Sequence, residues 1–218
     1  MRRLRRRVPL PTPDPHTSWR EAEFCVVDLE TTGLDLRHDE AISYGAVIVR
    51  HARIPCGQVV YRRLRPTRPI SVAAMTVHGL RSADLADAPP IDDVLDELIE
   101  LLTGRVLVAH AAWVERAFLE RALRPRGRRL GRTVIDTAAL LRACHLADLD
   151  TGREPNLEAS AKRLGLPVHT PHHALGDAFT TAELLLALAT RLERTADGQR
   201  SRPLTVGQLY AVSRRYCG

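Results

Sequence analysis

An apolar run that ends in two closely spaced carboxylates constrains the fold of this 218-residue chain more than any other feature. Residues 24–29 read Phe-Cys-Val-Val-Asp-Leu, which predicts a short buried strand, and Glu30 follows directly. Because strand side chains alternate between faces, Asp28 and Glu30 should emerge on the same side. Two like charges about 4 Å apart repel by roughly 4 kcal/mol at an effective dielectric near 20. The pair therefore indicates a hard cation such as magnesium or manganese, or a strand that merely ends at the turn Thr-Thr-Gly.

The basic charge balance points to a polyanionic partner such as nucleic acid. The net charge is +6 and the sequence pI is about 9.7. Lys162 is the only lysine while arginine abounds, so the composition of a GC-rich genome is a competing explanation of the basicity. Arginines are locally clustered, and both phosphate contact and an ordinary solvated loop stay open for these clusters: Arg62, Arg63, Arg65 and Arg68; Arg124, Arg126, Arg128, Arg129 and Arg132.

The length of the chain and the positions of its prolines and glycines predict one domain with a segment at each end. We expect a basic, proline-rich and disordered leader over residues 1–23, a folded domain over 24–194 and a C-terminal tail over 195–218. The prolines stand where a signal peptide needs its apolar region, and no segment has the length of a membrane span, so a cytoplasmic protein without a membrane partner is expected. The four cysteines are scattered and predict free thiols without structural zinc.

Strand signals come first and helix signals afterwards, which predicts an α/β fold with a mixed sheet flanked by helices. Strands are predicted over 24–29, 42–50, 59–64, 106–109 and 133–135, and helices over 91–102, 112–123, 136–146, 156–164 and 174–192, with a short helix over 204–210 in the tail.

Two more acids stand on apolar helical faces, where a surface acid would not be placed. Glu115 shares a face with Phe118 and Leu119, and Asp177 shares one with Leu184 and other apolar residues. Both carboxylates are expected to point inward and to need a compensating partner. His172 and His173 precede the helix of Asp177, as either a catalytic pair or an ordinary loop element: their sequence is His-His-Ala-Leu-Gly-Asp.

Over residues 24–190 the chain resembles the DEDDh-type 3′-to-5′ exonucleases, the family that contains the proofreading epsilon subunit of bacterial DNA polymerase III. The first motif of the family is matched by residues 27–34, Val-Asp-Leu-Glu-Thr-Thr-Gly-Leu. The second, His-Asn-Ala-x-Phe-Asp, is matched by residues 110–115, which read His-Ala-Ala-Trp-Val-Glu and so depart at the motif's two polar positions after the histidine, now Ala111 and Glu115. The third is a histidine with an aspartate five positions later, and this register selects His172 and Asp177.

The resemblance implies a ribonuclease H-like fold and a metal-dependent site. Asp28, Glu30, Glu115 and Asp177 would hold two Mg²⁺ or Mn²⁺ ions, and His172 would accept the proton of the attacking water. Substrate contacts are implied at four further positions: Thr31, Thr32, Leu34 and His110. Asp136 is implied to cap a helix and not to bind metal.

The implied function is hydrolysis of terminal phosphodiesters of DNA, at single-stranded or frayed 3′ ends, to nucleoside 5′-monophosphates in proofreading or repair. Two alternatives remain, an RNA exonuclease and a weakly active or inactive nucleic-acid-binding subunit, because glutamate at position 115 adds one methylene to the ligand set. A polymerase or another protein could bind through the tail.

Overall fold

A five-stranded mixed sheet forms the centre of the protein, in the strand order β4-β3-β2-β5-β7. The computed structural model describes residues 7–55, 57–147, 154–197 and 203–217. The strands are β1 (Val8–Pro9), β2 (Glu23–Thr31), β3 (Ala41–Arg50), β4 (Val59–Arg63), β5 (Val106–Ala109), β6 (Arg128–Arg129) and β7 (Val134–Asp136). The helices are α1 (Val72–His78), α2 (Ile91–Leu102), α3 (Trp113–Leu123), α4 (Thr137–Ala143), α5 (Leu157–Arg163), α6 (Ala174–Asp197) and α7 (Val206–Tyr216), with 3₁₀ helices at Ser82–Leu85 and Arg124–Arg126.

The central strand β2 is apolar on both faces because helices cover both. It pairs antiparallel with β3 and parallel with β5. On one face Phe24 and Val26 pack with α6, and on the other Val27 and Leu29 pack with α2 and α3. The predicted mixed sheet flanked by helices is confirmed, and its architecture is ribonuclease H-like. The sequence analysis assigned no helix to α1, which has no buried residue and therefore no apolar stripe to detect.

The expectation that residues 1–23 are disordered is wrong for residues 7–23, and residues 1–6 lie outside the described range. Strand β1 pairs in parallel with β6, and Leu10 is buried. Trp19 is almost completely buried, and its indole N–H donates to Glu193 Oε1 at 3.0 Å. Only two large apolar residues separated by prolines anchor this segment, so the sequence shows no periodicity that would reveal its packing.

The C-terminal segment also belongs to the packed domain. Helix α7 is longer than the predicted 204–210 and begins at a capping box, in which Thr205 and Gln208 exchange hydrogen bonds. Val206 and Leu209 are buried in the same core as α6. We therefore correct the predicted division at 24–194, because residues from both ends of the chain contribute to one core.

Two expectations concern the chain as a whole. Among the helices described, none combines the length and apolarity needed to cross a bilayer. Cys25, Cys144 and Cys217 are free thiols, as predicted, and Cys56 lies outside the described residues.

Candidate active site

Three carboxylates converge at the open end of β2. Asp28 and Glu30 extend from the strand and Asp177 from the first turn of α6, and one oxygen of each lies within 4.8 Å of the others. Further back along the same face of β2, Phe24 and Val26 lie under α6. The face changes from apolar to acidic at Asp28 because α6 begins there and covers only the residues behind it.

Two glycines permit this convergence. Gly45 of β3 is the register partner of Asp28, and a Cβ atom at Gly45 would lie less than 3.0 Å from backbone atoms of Ala174 and Leu175. A Cβ atom at Gly176 would lie similarly close to the carbonyl oxygens of His169 and Thr170 in the preceding loop. Glycine at these positions lets the start of α6 touch the sheet, which brings Asp177 to Asp28. The sequence analysis missed Gly45, although a glycine inside a strand is itself a signal of close backbone approach.

Burial raises the pKa of every acid in this cluster. The pKa of Asp28 lies well above its ordinary value because of burial and then the charges of Glu115, Glu30 and Asp177. Burial and Asp177 raise the pKa of Glu30 to about 7. The pKa of Asp177 rises to about 6, again through burial, although the backbone N–H of His172 opposes the shift. Without a cation, these groups are therefore driven to retain protons.

Glu115 supplies a fourth acid beside the three. It comes from the first turn of α3 and is 4% exposed, and its Oε2 has no hydrogen-bond partner among the residues described. Burial raises its pKa to about 8. Glu115 is not among the three residues whose oxygens lie within 4.8 Å of one another, but its charge raises the pKa of Asp28. An unpartnered buried carboxylate oxygen beside three clustered acids fits a hard divalent cation.

The two histidines before α6 have different surroundings. His172 adopts φ of 57°, and its backbone N–H donates to Asp177 Oδ2 at 2.9 Å. Its half-exposed imidazole has Nε2 at 3.6 Å from Glu158 Oε1 of α5. The ring of His173 instead packs on Tyr61, with centroids 4.4 Å apart. His172 is thus the histidine in direct contact with the acidic cluster.

The four predicted substrate residues differ in their availability. The Thr31 hydroxyl donates to the Gly33 carbonyl at 2.7 Å, and the Thr32 hydroxyl donates to Asp39 Oδ1 at 2.7 Å. Leu34 is 70% exposed. The threonine hydroxyls therefore shape the loop after β2, and Leu34 is the side chain that this loop offers to a ligand.

Both ring nitrogens of His110 have protein partners. Its Nδ1 lies 2.9 Å from Thr137 Oγ1 and its Nε2 lies 2.6 Å from the Pro155 carbonyl oxygen. His110 thus ties the end of β5 to the segment before α5, and its contact with substrate stays a prediction.

Asp136 caps α4, as the resemblance implied. Its Oδ1 accepts hydrogen bonds from the backbone N–H groups of Ala138 and Ala111. The Ser213 hydroxyl of α7 accepts a hydrogen bond from the Asp136 backbone N–H at 2.9 Å. The C-terminal helix is therefore connected through Asp136 to the loop from which α3 and Glu115 begin.

Comparisons with known proteins agree with this arrangement. The model of the RNase_T family, described as exonuclease, matches residues 25–185. A DNA polymerase III subunit epsilon-like protein of Rhodobacter capsulatus is 36% identical over 173 residues, covering 78% of this chain and 24% of that protein. A PolC-type DNA polymerase III of Caldanaerobacter subterraneus subsp. tengcongensis is 32% identical over 186 residues, covering 85% of this chain and 13% of that protein. This chain thus spans less than a quarter of the length of both relatives.

A solved structure extends the comparison to nearly a whole chain. Exonuclease X in complex with 5′ overhanging duplex DNA superposes with a TM-score of 0.63 and 27% sequence identity, covering 87% of this chain and 99% of that chain. The residues matched by the family model include the four acids Asp28, Glu30, Glu115 and Asp177. This chain belongs to the exonuclease family.

Proposed function

We propose that this chain is a divalent-metal-dependent exonuclease that removes nucleoside 5′-monophosphates from the 3′ ends of DNA, single-stranded or frayed, in proofreading or repair. The observation that carries the proposal is the convergence of Asp28, Glu30 and Asp177, with Glu115 buried beside them. Four acids with raised pKa values at the end of a sheet are stable as carboxylates only with cations. The catalytic domain extends beyond residues 24–194, because Trp19 and α7 are part of its core.

Asp28, Glu30 and Asp177 would hold the first Mg²⁺ or Mn²⁺ ion, and Asp28 with Glu115 would hold the second. Bound ions of this kind stabilise the attacking and the leaving oxygen in displacement at phosphorus. An imidazole nitrogen of His172 accepts the proton of the attacking water, and the backbone hydrogen bond from His172 to Asp177 keeps the two residues together. Leu34, exposed in the loop that follows β2 and Glu30, packs against the terminal base.

DNA is the favoured substrate because both relatives are named as DNA polymerase III proteins and Exonuclease X was solved with DNA. A polymerase or another protein partner at the C-terminal segment stays a prediction; α7 buries Val206 and Leu209 against its own domain, so such a partner would bind its exposed face.

The direct test is to incubate the protein with 5′-labelled single-stranded DNA or RNA in magnesium, manganese or chelator. We expect stepwise shortening of DNA that requires metal and disappears in Asp28→Ala. A matched control is Asp87→Ala, which removes an acid outside the cluster and should leave shortening intact.

Each other result refutes part of the proposal. Binding without shortening under every metal would identify a non-catalytic nucleic-acid-binding module. Faster shortening of RNA than of DNA would replace the substrate class but keep the mechanism. Shortening in chelator would remove the assigned role of the four acids.

A further inference from the structure

The arginines on the edge strand β4 fall on opposite faces of the sheet. Arg62 and Arg63 are neighbours, so their side chains point in opposite directions. Arg62 binds Glu97 of α2 through two hydrogen bonds, at 3.0 and 2.8 Å, on the face that α2 and α3 cover. Arg63 therefore lies on the other face, which is the face of the acidic cluster.

The strand register places Arg63 in a row with the cluster. Glu30 pairs with Ser43, and Ser43 pairs with Arg63. Residues directly opposite each other in a sheet share a face. Strands lie about 4.8 Å apart, so the backbone of Arg63 is about 10 Å from that of Glu30.

Arg63 is also available to a ligand. It is exposed, and within the part of the chain that the structure describes its guanidinium makes no hydrogen bond or ion pair. Its charge contributes to a lowered pKa of Asp84, but the main causes there are hydrogen bonds from Arg81.

Its neighbours in the sequence are already engaged. Arg65 donates to the Ala86 carbonyl at 3.4 Å, and Arg68 donates to the His38 carbonyl at 3.1 Å. Of the four arginines clustered around β4, Arg63 thus combines exposure, an unengaged guanidinium and a position on the face of the cluster.

We propose that Arg63 binds a backbone phosphate of the substrate strand, on the 5′ side of the phosphodiester that is cleaved. The strand then leaves the acidic cluster in the direction of the exposed Arg63 and crosses the edge strand β4. This subsite rests on the proposed function, because its location is defined by where the 3′ end is hydrolysed. Arginine suits this task since its planar guanidinium matches phosphate oxygens.

The test compares Arg63→Gln with Arg62→Gln, which removes the same charge one residue away on the opposite face. Binding of 5′-labelled oligothymidylate is followed by fluorescence anisotropy over a salt series, in chelator and again in calcium. We expect Arg63→Gln to weaken binding about tenfold and to reduce the slope of log K against log[salt] by about 0.7. In magnesium it should raise KM for DNA more than it lowers kcat.

Arg62→Gln should lower thermal stability, because Glu97 loses its cationic partner and keeps only the Tyr44 hydroxyl, but leave the DNA affinity unchanged. Equal affinities and salt slopes for Arg63→Gln and the unaltered protein would overturn the subsite. So would equal weakening by both variants, since that would show an effect of net charge alone. A protein that binds DNA in this way but shortens nothing would retain the subsite and lose the proposed catalytic function.

Discussion

Replacing Glu30 by glutamine should make the metal-free protein more stable while destroying its activity. Burial and the Asp177 charge raise the pKa of Glu30 from 4.5 to about 7. As pH rises from about 4.5 to about 7, the unfolded chain releases this proton before the native state does, so the free energy of unfolding falls across that window. At 1.36 kcal/mol per pK unit, the loss is about 3 kcal/mol once pH exceeds 7. Glutamine is similar in shape, carries no charge and removes that loss.

The assay is thermal or urea unfolding in chelator at about pH 8 and about pH 4. We expect Glu30→Gln to unfold at a temperature roughly 6 to 12 °C higher than the unaltered protein at the higher pH, with the difference disappearing at the lower pH, where Glu30 is protonated in both states. Glu21→Gln, at an exposed acid outside the cluster, is the control and should show no such pH-dependent difference.

Magnesium should narrow the difference in stability between the two proteins. The unaltered protein gains stability by binding the ion, about 3 kcal/mol when the ion is at a hundred times its dissociation constant, whereas Glu30→Gln lacks one ligand and gains less. Equal unfolding free energies in chelator at about pH 8, or a variant that is equally destabilised at both pH values, would refute the reasoning.

Three further variants test the architecture. Gly45→Ala should cost about 1 to 3 kcal/mol in urea unfolding and reduce kcat by on the order of a hundredfold, because the added Cβ pushes α6 from β3; unchanged kcat would contradict this. Glu193→Gln should destabilise by about 1 to 3 kcal/mol at neutral pH. Burial alone would raise the Glu193 pKa, but hydrogen bonds from Arg20 and Trp19 lower it, so the loss should shrink as pH falls through that pKa, and a loss that persists in acid would contradict it. Glu115→Asp should slow hydrolysis on the order of tenfold by withdrawing the carboxylate about 1.5 Å, and a faster variant would show the glutamate to be a handicap.

Local patterns predicted the elements well where an element buries an apolar run or an apolar face. The strand over 24–29 is marked by a continuous apolar run and the helix over 91–102 by apolar residues at helical spacing, and both lie within a residue or two of β2 and α2. The patterns failed at α1, where Ala74 and Met75 are only partly buried, and at residues 7–23, where isolated apolar residues are buried without any periodic spacing. Periodicity reports only burial along a regular element.

The sequence by itself determined that Asp28 and Glu30 share a face, since alternation in a strand requires no tertiary information. It also indicated that Glu115 and Asp177 point inward, because each lies on an apolar helical face.

Only the tertiary structure decided that these acids meet, since Asp177 reaches Asp28 through the close contact of α6 with Gly45. It likewise decided the partners of His110 and separated Arg62 from Arg63. Such contacts join residues far apart in the chain, and they depend on register and packing distance, which no local pattern encodes.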